Sequence, residues 1–244
     1  MTSLMEIRQC FNRAEKTYDA NCPIQKSVGH KIISYLSPYK IAFNNIIDLG
    51  CATGIVTKAL ALRYGNYEHF YALDIAPNLL VKAYRRLHKF NVKLFEGNFE
   101  SFHFANTFFD LIFSNMALHW STNLELTLFN LSSSLASKGI LAFSIPLEGT
   151  FEELGPDRIL PLYKREDIHT ILKKNGYQIL NTFDYVEVVV FPSFILAFKS
   201  IKYVGANHYR TKKDSSHLFS LRKLASHPFK LTYKIGIFIA RKGV

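Results

Sequence analysis

A glycine turn behind a short apolar run is the feature that most constrains how this chain can fold. Residues 45–54 read Asn-Ile-Ile-Asp-Leu-Gly-Cys-Ala-Thr-Gly, and apolar residues recur at positions 55, 56, 59, 60 and 62. The pattern predicts a buried strand, a tight turn and an amphipathic helix. Such a unit opens a doubly wound sheet, in which ligands bind outside the carboxyl ends of the strands. We therefore expect a small molecule near Gly50 and Gly54, where backbone N–H groups meet a helix N-terminus.

The spacing of the glycines in the turn indicates which class of ligand the turn can bind. A dinucleotide fingerprint would need glycines where Ala52 and Ile55 stand, and a P-loop would need a Gly-Lys-Ser/Thr that the turn lacks. The pattern D-x-G-x-x-x-G instead resembles motif I of the class I S-adenosylmethionine methyltransferases, whose loop wraps the methionine half of the cofactor. A chance strand-turn-helix with two glycines is the alternative. The cofactor contacts that the resemblance implies here are Asp48, Gly50, Cys51 and Gly54.

A carboxylate also ends the second predicted strand. Asp74 closes the apolar run 70–74, and a carboxylate in this place can accept hydrogen bonds from both hydroxyls of a ribose. The alternative is that Asp74 only caps the helix that Pro77 opens. We place Asp74 and its neighbour Ile75 in the predicted cofactor site.

Two asparagines follow the third and fourth predicted strands. In the methyltransferase pattern the residue at Asn98 meets the adenine amino group, and the apolar Phe99 lies against the adenine ring. The carbonyl oxygen of Asn98 can accept that hydrogen bond without the charge of an aspartate. Ser114 and Asn115 end the fourth strand, so both are expected to face the cleft, and Asn115 joins the predicted cofactor site.

The remaining pattern predicts a single α/β domain over residues 1–244. The expected architecture is a Rossmann-like, seven-stranded, mostly parallel sheet with helices on both faces. Residues 1–40 are predicted as two helices that cap the sheet or close over the cofactor. A helix over 124–136, a strand over 140–145, a helix over 164–175, a β-branched run at 186–190 and a last strand over 230–242 follow. Residues 192–228 exceed what an antiparallel connection needs, and we interpret them as a helical insertion above the cleft.

Composition narrows the partners and the compartment. The net charge is +11, from 30 Lys and Arg against 19 Asp and Glu, which favours an anionic partner. An acidic protein and a nucleic acid both fit that charge. We find neither an apolar leader nor a run long enough to cross a membrane. The three cysteines lack metal-ligand spacing, so we expect free thiols, no metal site and a reducing cytoplasm.

Several stretches together resemble the malonyl-acyl-carrier-protein O-methyltransferases of biotin synthesis. The likeness covers nearly the whole chain, including the predicted insertion, which is poorly shared with other methyltransferases. The stretches that carry it are residues 11–14 with Tyr18, 97–101, Ser-Asn-Met-Ala-Leu-His-Trp at 114–120, 143–144, 148–154, 199–208 and 229–233.

This resemblance implies methyl transfer from S-adenosylmethionine to the free carboxylate of a malonyl thioester on acyl carrier protein. The carrier is strongly acidic, which matches a basic enzyme. A malonyl carboxylate is already an anion at neutral pH, so the reaction needs no general base. The protein must then position the two reactants. Arg13 is assigned to the cofactor site, and the residues predicted to hold or face the substrate are Tyr18, Lys202, His208 and Arg210.

Three departures from the family pattern keep other functions open. Many relatives have Gly at the position of Ala52, Asp at that of Asn98 and Gln at that of His119. If the backbone at Ala52 has a positive φ, the methyl group costs about 1 kcal/mol or more. One alternative is therefore a non-catalytic binding subunit with weak or no cofactor affinity. Another is a methyltransferase for a different acid, a small molecule or RNA, although no Asn-Pro-Pro-Tyr-type motif follows the fourth strand and a nucleic acid partner is disfavoured.

Overall fold

One sheet organises the protein. The computed structural model describes residues 4–39, 42–102, 108–155, 161–206 and 227–243. Within these residues, seven strands lie in the order β3-β2-β1-β4-β5-β7-β6. The strands are β1 (Asn45–Leu49), β2 (His69–Asp74), β3 (Val92–Glu96), β4 (Phe109–Asn115), β5 (Leu135–Pro146), β6 (Tyr177–Phe191) and β7 (Phe229–Lys242).

The direction of the strands creates one crevice. Strands β1 to β5 pair in parallel, and only β7 runs antiparallel to its neighbours β5 and β6. The chain proceeds outward from β1 to β2 and β3, and then returns to place β4 on the other side of β1. Ligands of such sheets bind at this switch point, outside the carboxyl ends of β1 and β4. The predicted fold class is confirmed.

Helices cover both faces of the sheet. The side chains of α3 and α4 pack with β1, β4 and β7 in one apolar core, and those of α6 and α7 pack with β4 and β5 in the other. Because the central strands are buried on both faces, they are almost continuously apolar. The helices are α1 (Leu4–Arg13), α2 (Tyr18–Asn21), α3 (Pro23–Leu36), α4 (Ile55–Arg63), α5 (Pro77–Leu87), α6 (Leu124–Ser134), α7 (Arg165–Lys174) and α8 (Phe194–Tyr203), with short 3-10 helices at Leu118–Trp120 and Glu152–Leu154.

The helical segment before β1 has three helices rather than the predicted two. The short α2 ends at Asn21, and α3 begins at Pro23. Proline has no N–H group and a fixed φ, so it is favoured in the first turn of a new helix. The break at Cys22 therefore separates α2 from α3 and lets the chain turn over the strand ends.

Several predicted boundaries were too long or too short. Helix α6 ends at Ser134, two residues before the predicted end, and β5 begins at Leu135 rather than at 140. Strand β6 begins at Tyr177, well before the run of valines. Because β6 lies at the edge of the sheet, many of its side chains are only partly buried, and its first half mixes apolar and polar residues without strict alternation, so it carries a weaker strand signal than the run of valines.

The segment after β6 begins as a helix that contacts the helical segment before β1, which we call the N-terminal cap. Helix α8 buries Phe194, Ala197 and Ile201 against Leu231 of β7. The hydroxyl of Thr17 donates to the carbonyl oxygen of Tyr203 at 2.9 Å, which links α8 to the chain just before α2. Residues 207–226 lie outside the described residues, so the placement of the whole insertion above the cleft stays a prediction.

Two glycines with nearly equal φ give a test of helix packing. Gly54 has φ +74, and a Cβ there would lie 3.0 Å from Leu87 and 3.2 Å from Ala83 of α5. Gly176 has φ +75, and a Cβ there would meet no atom within 4 Å. We expect Gly176→Ala to lower the free energy of unfolding by about 1 kcal/mol, the cost of a left-handed alanine. Gly54→Ala should cost clearly more in urea denaturation, because α4 and α5 must also separate. Equal losses would contradict close packing at Gly54.

Candidate functional site

The predicted turn holds the carboxyl ends of β1 and β2 together. The N–H groups of Gly50 and Cys51 both donate to the carbonyl oxygen of Leu73, at 2.8 and 3.0 Å. Gly50 has φ +80, and a side chain there would collide with Cβ of Ala117, which follows β4. The turn thus needs glycine at residue 50 for two reasons, its backbone conformation and its close approach to the β4 loop.

Ala52 adopts the conformation that the sequence raised as a possible strain. Its φ is +49, in the region that favours glycine, so its methyl group carries a conformational cost. The turn closes nevertheless, because the Ala52 N–H donates to Oδ2 of Asp74 at 2.7 Å. The other carboxylate oxygen of Asp74 accepts from the Ala76 N–H at 2.8 Å. The departure at Ala52 therefore leaves the loop in place.

A cavity of about 620 Å³ opens beside this turn. Residues of α1 and Tyr18 line one side of it. The residues that line this main cavity are Leu4, Ile7, Phe11, Tyr18, Gly50, Ala52, Asp74, Ile75, Asn98, Phe99, Asn115, Met116, Ala117 and Trp120.

A second cavity of about 340 Å³ lies on the other side of the same turn. It shares Tyr18, Gly50, Ala52 and Asn115 with the main cavity, so these four residues form the wall between the two. The polar groups of the second cavity come from α2, α3, β1, the turn and the end of β4. The residues that line it are Tyr18, Cys22, Gln25, Lys26, Asp48, Gly50, Cys51, Ala52, Thr53, Ile55, Val56 and Asn115.

Two buried carboxylates give the site a proton-dependent charge. Burial raises the pKa of Asp48 to about 7, although the hydroxyl of Thr57 donates to it at 2.6 Å. Burial also raises the pKa of Asp74 to about 6, against the opposing effect of its backbone N–H donors. Each carboxylate oxygen has a second lone pair, so Asp74 can still accept hydrogen bonds from a ligand.

The far end of the main cavity is apolar with one amide. Asn98 and Phe99 line it, and Oδ1 of Asn98 accepts from the Glu100 N–H at 3.0 Å. This bond fixes the amide and leaves one lone pair for a donor from a ligand. Phe11 and Trp120 meet edge to face with their ring centroids 5.7 Å apart. An adenine-sized ring would find apolar contacts and one amide acceptor here.

Asn115 is locked in the wall between the cavities. Its Nδ2 donates to the carbonyl oxygen of Gln25 at 2.8 Å, and the Ser144 hydroxyl donates to its Oδ1 at 3.0 Å. The expectation that Ser114 also faces the cleft is wrong. Successive side chains of a strand point to opposite faces, and the buried Ser114 hydroxyl donates to the carbonyl oxygen of Leu49 at 2.9 Å.

Hydrogen bonds and ion pairs that the sequence did not reveal connect the N-terminal cap to the turn after β1 and to α5. Asp19 accepts from the Thr53 hydroxyl at 2.6 Å and from the Arg86 guanidinium at 2.7 Å. Partial burial opposes ionisation, yet these two hydrogen bonds lower the pKa of Asp19 below its usual value. Lys82 of α5 pairs with Glu15 at 3.4 Å. The only sequence signal was an Asp directly after Tyr18, and its partners lie more than thirty residues away in the chain.

Other predicted site residues lie elsewhere. Gly54 lines neither cavity but packs against α5, and the exposed Arg13 contacts Sγ of Cys10. Lys202 is exposed on the last turn of α8 and also lines neither cavity. His208 and Arg210 lie outside the described residues. Roles for all five in binding stay predictions.

The residues that the structure describes contain neither a metal-binding cluster nor a membrane-spanning helix. No group of three or more His, Cys, Asp or Glu side chains is arranged to hold a metal ion in that part of the chain. Among the same residues, no helix is both long enough and apolar enough to span a membrane.

The fold matches that of known methyltransferases. The sequence profile of the methyltransferase domain matches residues 46–139. The structure of the N-methyltransferase NodS from Bradyrhizobium japonicum WM9, in complex with S-adenosyl-L-homocysteine, superposes with a TM-score of 0.62 at 15% identity, covering 96% of this chain and 98% of NodS. The sheet order is that of the class I methyltransferase fold.

Sequence relatives narrow the class. A malonyl-[acyl-carrier protein] O-methyltransferase from Coxiella burnetii is 36% identical over 97% of this chain and 95% of its own length. The enzyme of that name from Geobacter sulfurreducens is 27% identical over 85% of this chain and 83% of its own. This chain belongs to the malonyl-[acyl-carrier protein] O-methyltransferase family. The suspected family is confirmed.

The residues present fit the cofactor of this class. Gly50 packs directly against Ala117, and because it has no side chain the turn and the loop after β4 can approach closely and line the same cavity. Asp74 lies in the main cavity with lone pairs free for a diol, and the aromatic and amide groups near Asn98 match an adenine. Asp48 gives the second cavity a carboxylate for an ammonium group.

The pKa of Asp74 predicts how cofactor affinity depends on pH. Hydrogen bonds from a ribose favour the ionised carboxylate, so binding must expel the proton that Asp74 holds below a pKa of about 6. We expect affinity for S-adenosylhomocysteine to weaken as pH falls through that value, by up to about tenfold per unit. Calorimetry at several pH values measures it. Asp74→Asn should bind weakly at neutral pH and lose the step near pH 6, while the dependence that Asp48 contributes near pH 7 should remain. A wild-type profile without a step near pH 6 would contradict the ribose role.

The strain at Ala52 predicts different changes in the free energy of unfolding for two substitutions. Ala52→Gly relieves the positive φ but adds freedom to the unfolded chain and removes a buried methyl group, so the free energy of unfolding should change by less than about 1 kcal/mol. Ala52→Val places a β-branched residue at φ +49 and should cost about 2 kcal/mol or more. Urea denaturation compares them. Equal stability of the valine variant and the wild type would show that the turn is not strained.

Proposed function

We propose that this protein transfers the methyl group of S-adenosylmethionine to the free carboxylate of malonyl-acyl carrier protein, the ester-forming step that serves biotin synthesis. The observation that carries the proposal is the likeness to the Coxiella burnetii enzyme over 97% of this chain, because it includes the segment after β6. That segment differs most among methyltransferases, so agreement there bears on the substrate rather than on the fold.

The cofactor supplies an activated methyl group on a sulfonium, and the chain supplies the binding groups. Asp74 accepts hydrogen bonds from the ribose hydroxyls, with Ile75 beside it. Asn98 accepts from the adenine amino group, and Phe99 packs against the ring. The groups that hold the methionine end are Gly50, Cys51 and Asp48. The proposed set is completed by Asn115, Arg13 and Gly54.

The reaction requires the protein to position the two reactants and does not require a proton acceptor. A malonyl carboxylate is ionised at neutral pH and attacks without a base. Tyr18 lines both cavities, so it lies where the two reactants would meet. Burial raises the pKa of its hydroxyl well above the usual range, which keeps it protonated and able to donate a hydrogen bond. Such a donor can orient a carboxylate without neutralising it.

The segment of residues 192–228 is the proposed substrate-binding part. Helix α8 contacts the N-terminal cap through Thr17 and Tyr203, so a change in one reaches the other. Lys202 on its last turn, together with His208 and Arg210 further along, provides cations for the malonyl carboxylate or for the acidic carrier. Acyl carrier protein is thus the proposed macromolecular partner and the cytoplasm the proposed compartment.

Two other functions remain as alternatives to test. A methyltransferase for another acid, a small molecule or RNA would use the same cofactor site. A non-catalytic subunit would have lost that site, but Asp48, Gly50 and Asp74 all line the cavities and Asp74 holds the turn closed. Decay of the site would be expected to remove at least one of them.

One assay separates the three functions. Labelled S-adenosylmethionine is incubated with the protein and with malonyl-acyl carrier protein, acetyl-acyl carrier protein or bulk RNA. Label on the malonyl carrier alone, released by mild base as an ester, supports the proposal. Label on RNA supports the broader methyltransferase, and no transfer together with no calorimetric cofactor binding supports the non-catalytic subunit.

The position of Tyr18 predicts a selective loss of turnover. Tyr18→Phe removes one hydrogen bond to a charged group, so kcat should fall by about 10- to 100-fold. Affinity for S-adenosylhomocysteine should change by less than about threefold, because the ring still lines the cavity. Tyr35→Phe is the matched control, since Tyr35 stacks on Phe183 with a centroid distance of 3.8 Å and lines neither cavity. An unchanged kcat in Tyr18→Phe would remove this residue from the reaction.

A further inference from the structure

A basic groove lies on the outer surface between α4 and α5. Of the basic pairs in the sequence, Lys212-Lys213 and Arg222-Lys223 lie outside the described residues, and Lys173-Lys174 ends α7 on the opposite face of the sheet. Other basic side chains lie close to the pair Arg85-Arg86 in the folded chain. The groove is open to solvent and spans about 1250 Å³. The residues that line it are Asp19, Lys58, Leu62, Lys82, Arg85, Arg86, His88, Lys89 and Phe90.

Part of this positive charge is not neutralised. Lys82 pairs with Glu15 and Arg86 pairs with Asp19, so two cations hold the N-terminal cap. Lys58, Arg85 and Lys89 are exposed and make no ion pair with any described residue. A cluster of three unpaired cations beside two paired ones produces a local positive potential that attracts an acidic surface.

Exposed apolar groups lie among these cations. Leu62 lines the groove with 66% of its surface exposed. On the outer face of α5, Val81 and Tyr84 are 53% and 70% exposed. Interfaces with nucleic acid are more polar than those between proteins. Aliphatic side chains set among cations therefore favour an acidic protein that also presents apolar residues.

The groove shares a wall with the cofactor site. Asp19 faces the groove, and Thr53 lines the second cavity; their side chains are hydrogen-bonded at 2.6 Å. Arg86 lines the groove and also donates to the carbonyl oxygen of Thr53. A protein bound in the groove would thus sit one layer of side chains away from the cavity that Tyr18 enters, within reach of a flexible thioester arm.

We propose that this groove is the docking surface for the acidic carrier protein that presents the substrate. The inference rests on the proposed function for the identity of the partner. The cations Lys58, Arg85 and Lys89 steer and hold acidic side chains of the carrier, and Leu62 with Val81 contacts its apolar residues. Docking here places the carrier beside the N-terminal cap rather than on the α7 face.

Charge reversal at the unpaired cations tests the surface. The double variant Arg85→Glu with Lys89→Glu removes two cations that touch neither cavity. The double variant Lys138→Glu with Lys173→Glu is the control, since it makes the same change in net charge at exposed sites away from the groove. Binding of acyl carrier protein is measured by calorimetry with S-adenosylhomocysteine present, and turnover is measured with malonyl-acyl carrier protein.

The expected result is a selective loss of carrier binding. The groove variant should weaken carrier affinity and raise KM by about tenfold or more at low salt, with kcat and affinity for S-adenosylhomocysteine unchanged. The control variant should change carrier affinity by less than about threefold, the residual long-range effect of net charge. Added salt should reduce the difference between the two variants.

Other outcomes overturn the proposal and remain distinguishable from failure of the proposed function. Equal effects of the groove and control variants, with methylation of malonyl-acyl carrier protein intact, place the docking surface elsewhere. Loss of binding to bulk RNA in the groove variant, with carrier binding unaffected, assigns the groove to nucleic acid. A wild-type protein that neither binds nor methylates the carrier overturns both proposals, whereas selective carrier binding without methylation retains the docking surface and rejects the reaction.

Discussion

The hydrogen bonds to the carboxylate of Asp74 are the interaction on which the site depends. One oxygen holds the strained Ala52 at the turn after β1, and the other holds Ala76 ahead of α5. Burying a carboxylate is costly, and here the cost is offset by backbone donors and expressed as a raised pKa. The residue that we propose to bind the ribose thereby also sets the shape of the cavity.

The second constraint is the attachment of the N-terminal cap to this turn. Asp19 joins α2 to Thr53 at the turn and to Arg86 on α5, and Thr17 joins the same segment to α8. The cap therefore contacts the cofactor site, the proposed docking groove and the start of the proposed substrate-binding segment. Tyr18, between two anchored neighbours, is placed by these contacts rather than by a long helix.

Prediction from sequence succeeded where one residue type answers one local physical need. Glycine at residue 50 follows from a positive φ, and the order of βα units follows from apolar periodicity. It failed where a side chain had a choice of faces. Ser114 lies next to Asn115 in sequence, yet alternation along β4 sends it into the core, and only the register with β1 decides which of the two faces the cavity. The first half of β6 carried a weak pattern, since apolar and polar residues do not alternate strictly in an edge strand that is half exposed.

By itself the sequence determined the class of fold, the cofactor turn and the family, because these depend on local spacing and on residues whose chemistry is restrictive. Only the tertiary structure shows that Ala52 is strained and that Gly54 packs against α5. It also shows that Asp19 connects the N-terminal cap to the turn after β1. It also decided that Arg85 belongs to a larger cluster of cations. Each of these depends on contacts between residues far apart in the chain, and the distance between such residues is set by how helices pack on the sheet rather than by any pattern that a linear sequence displays.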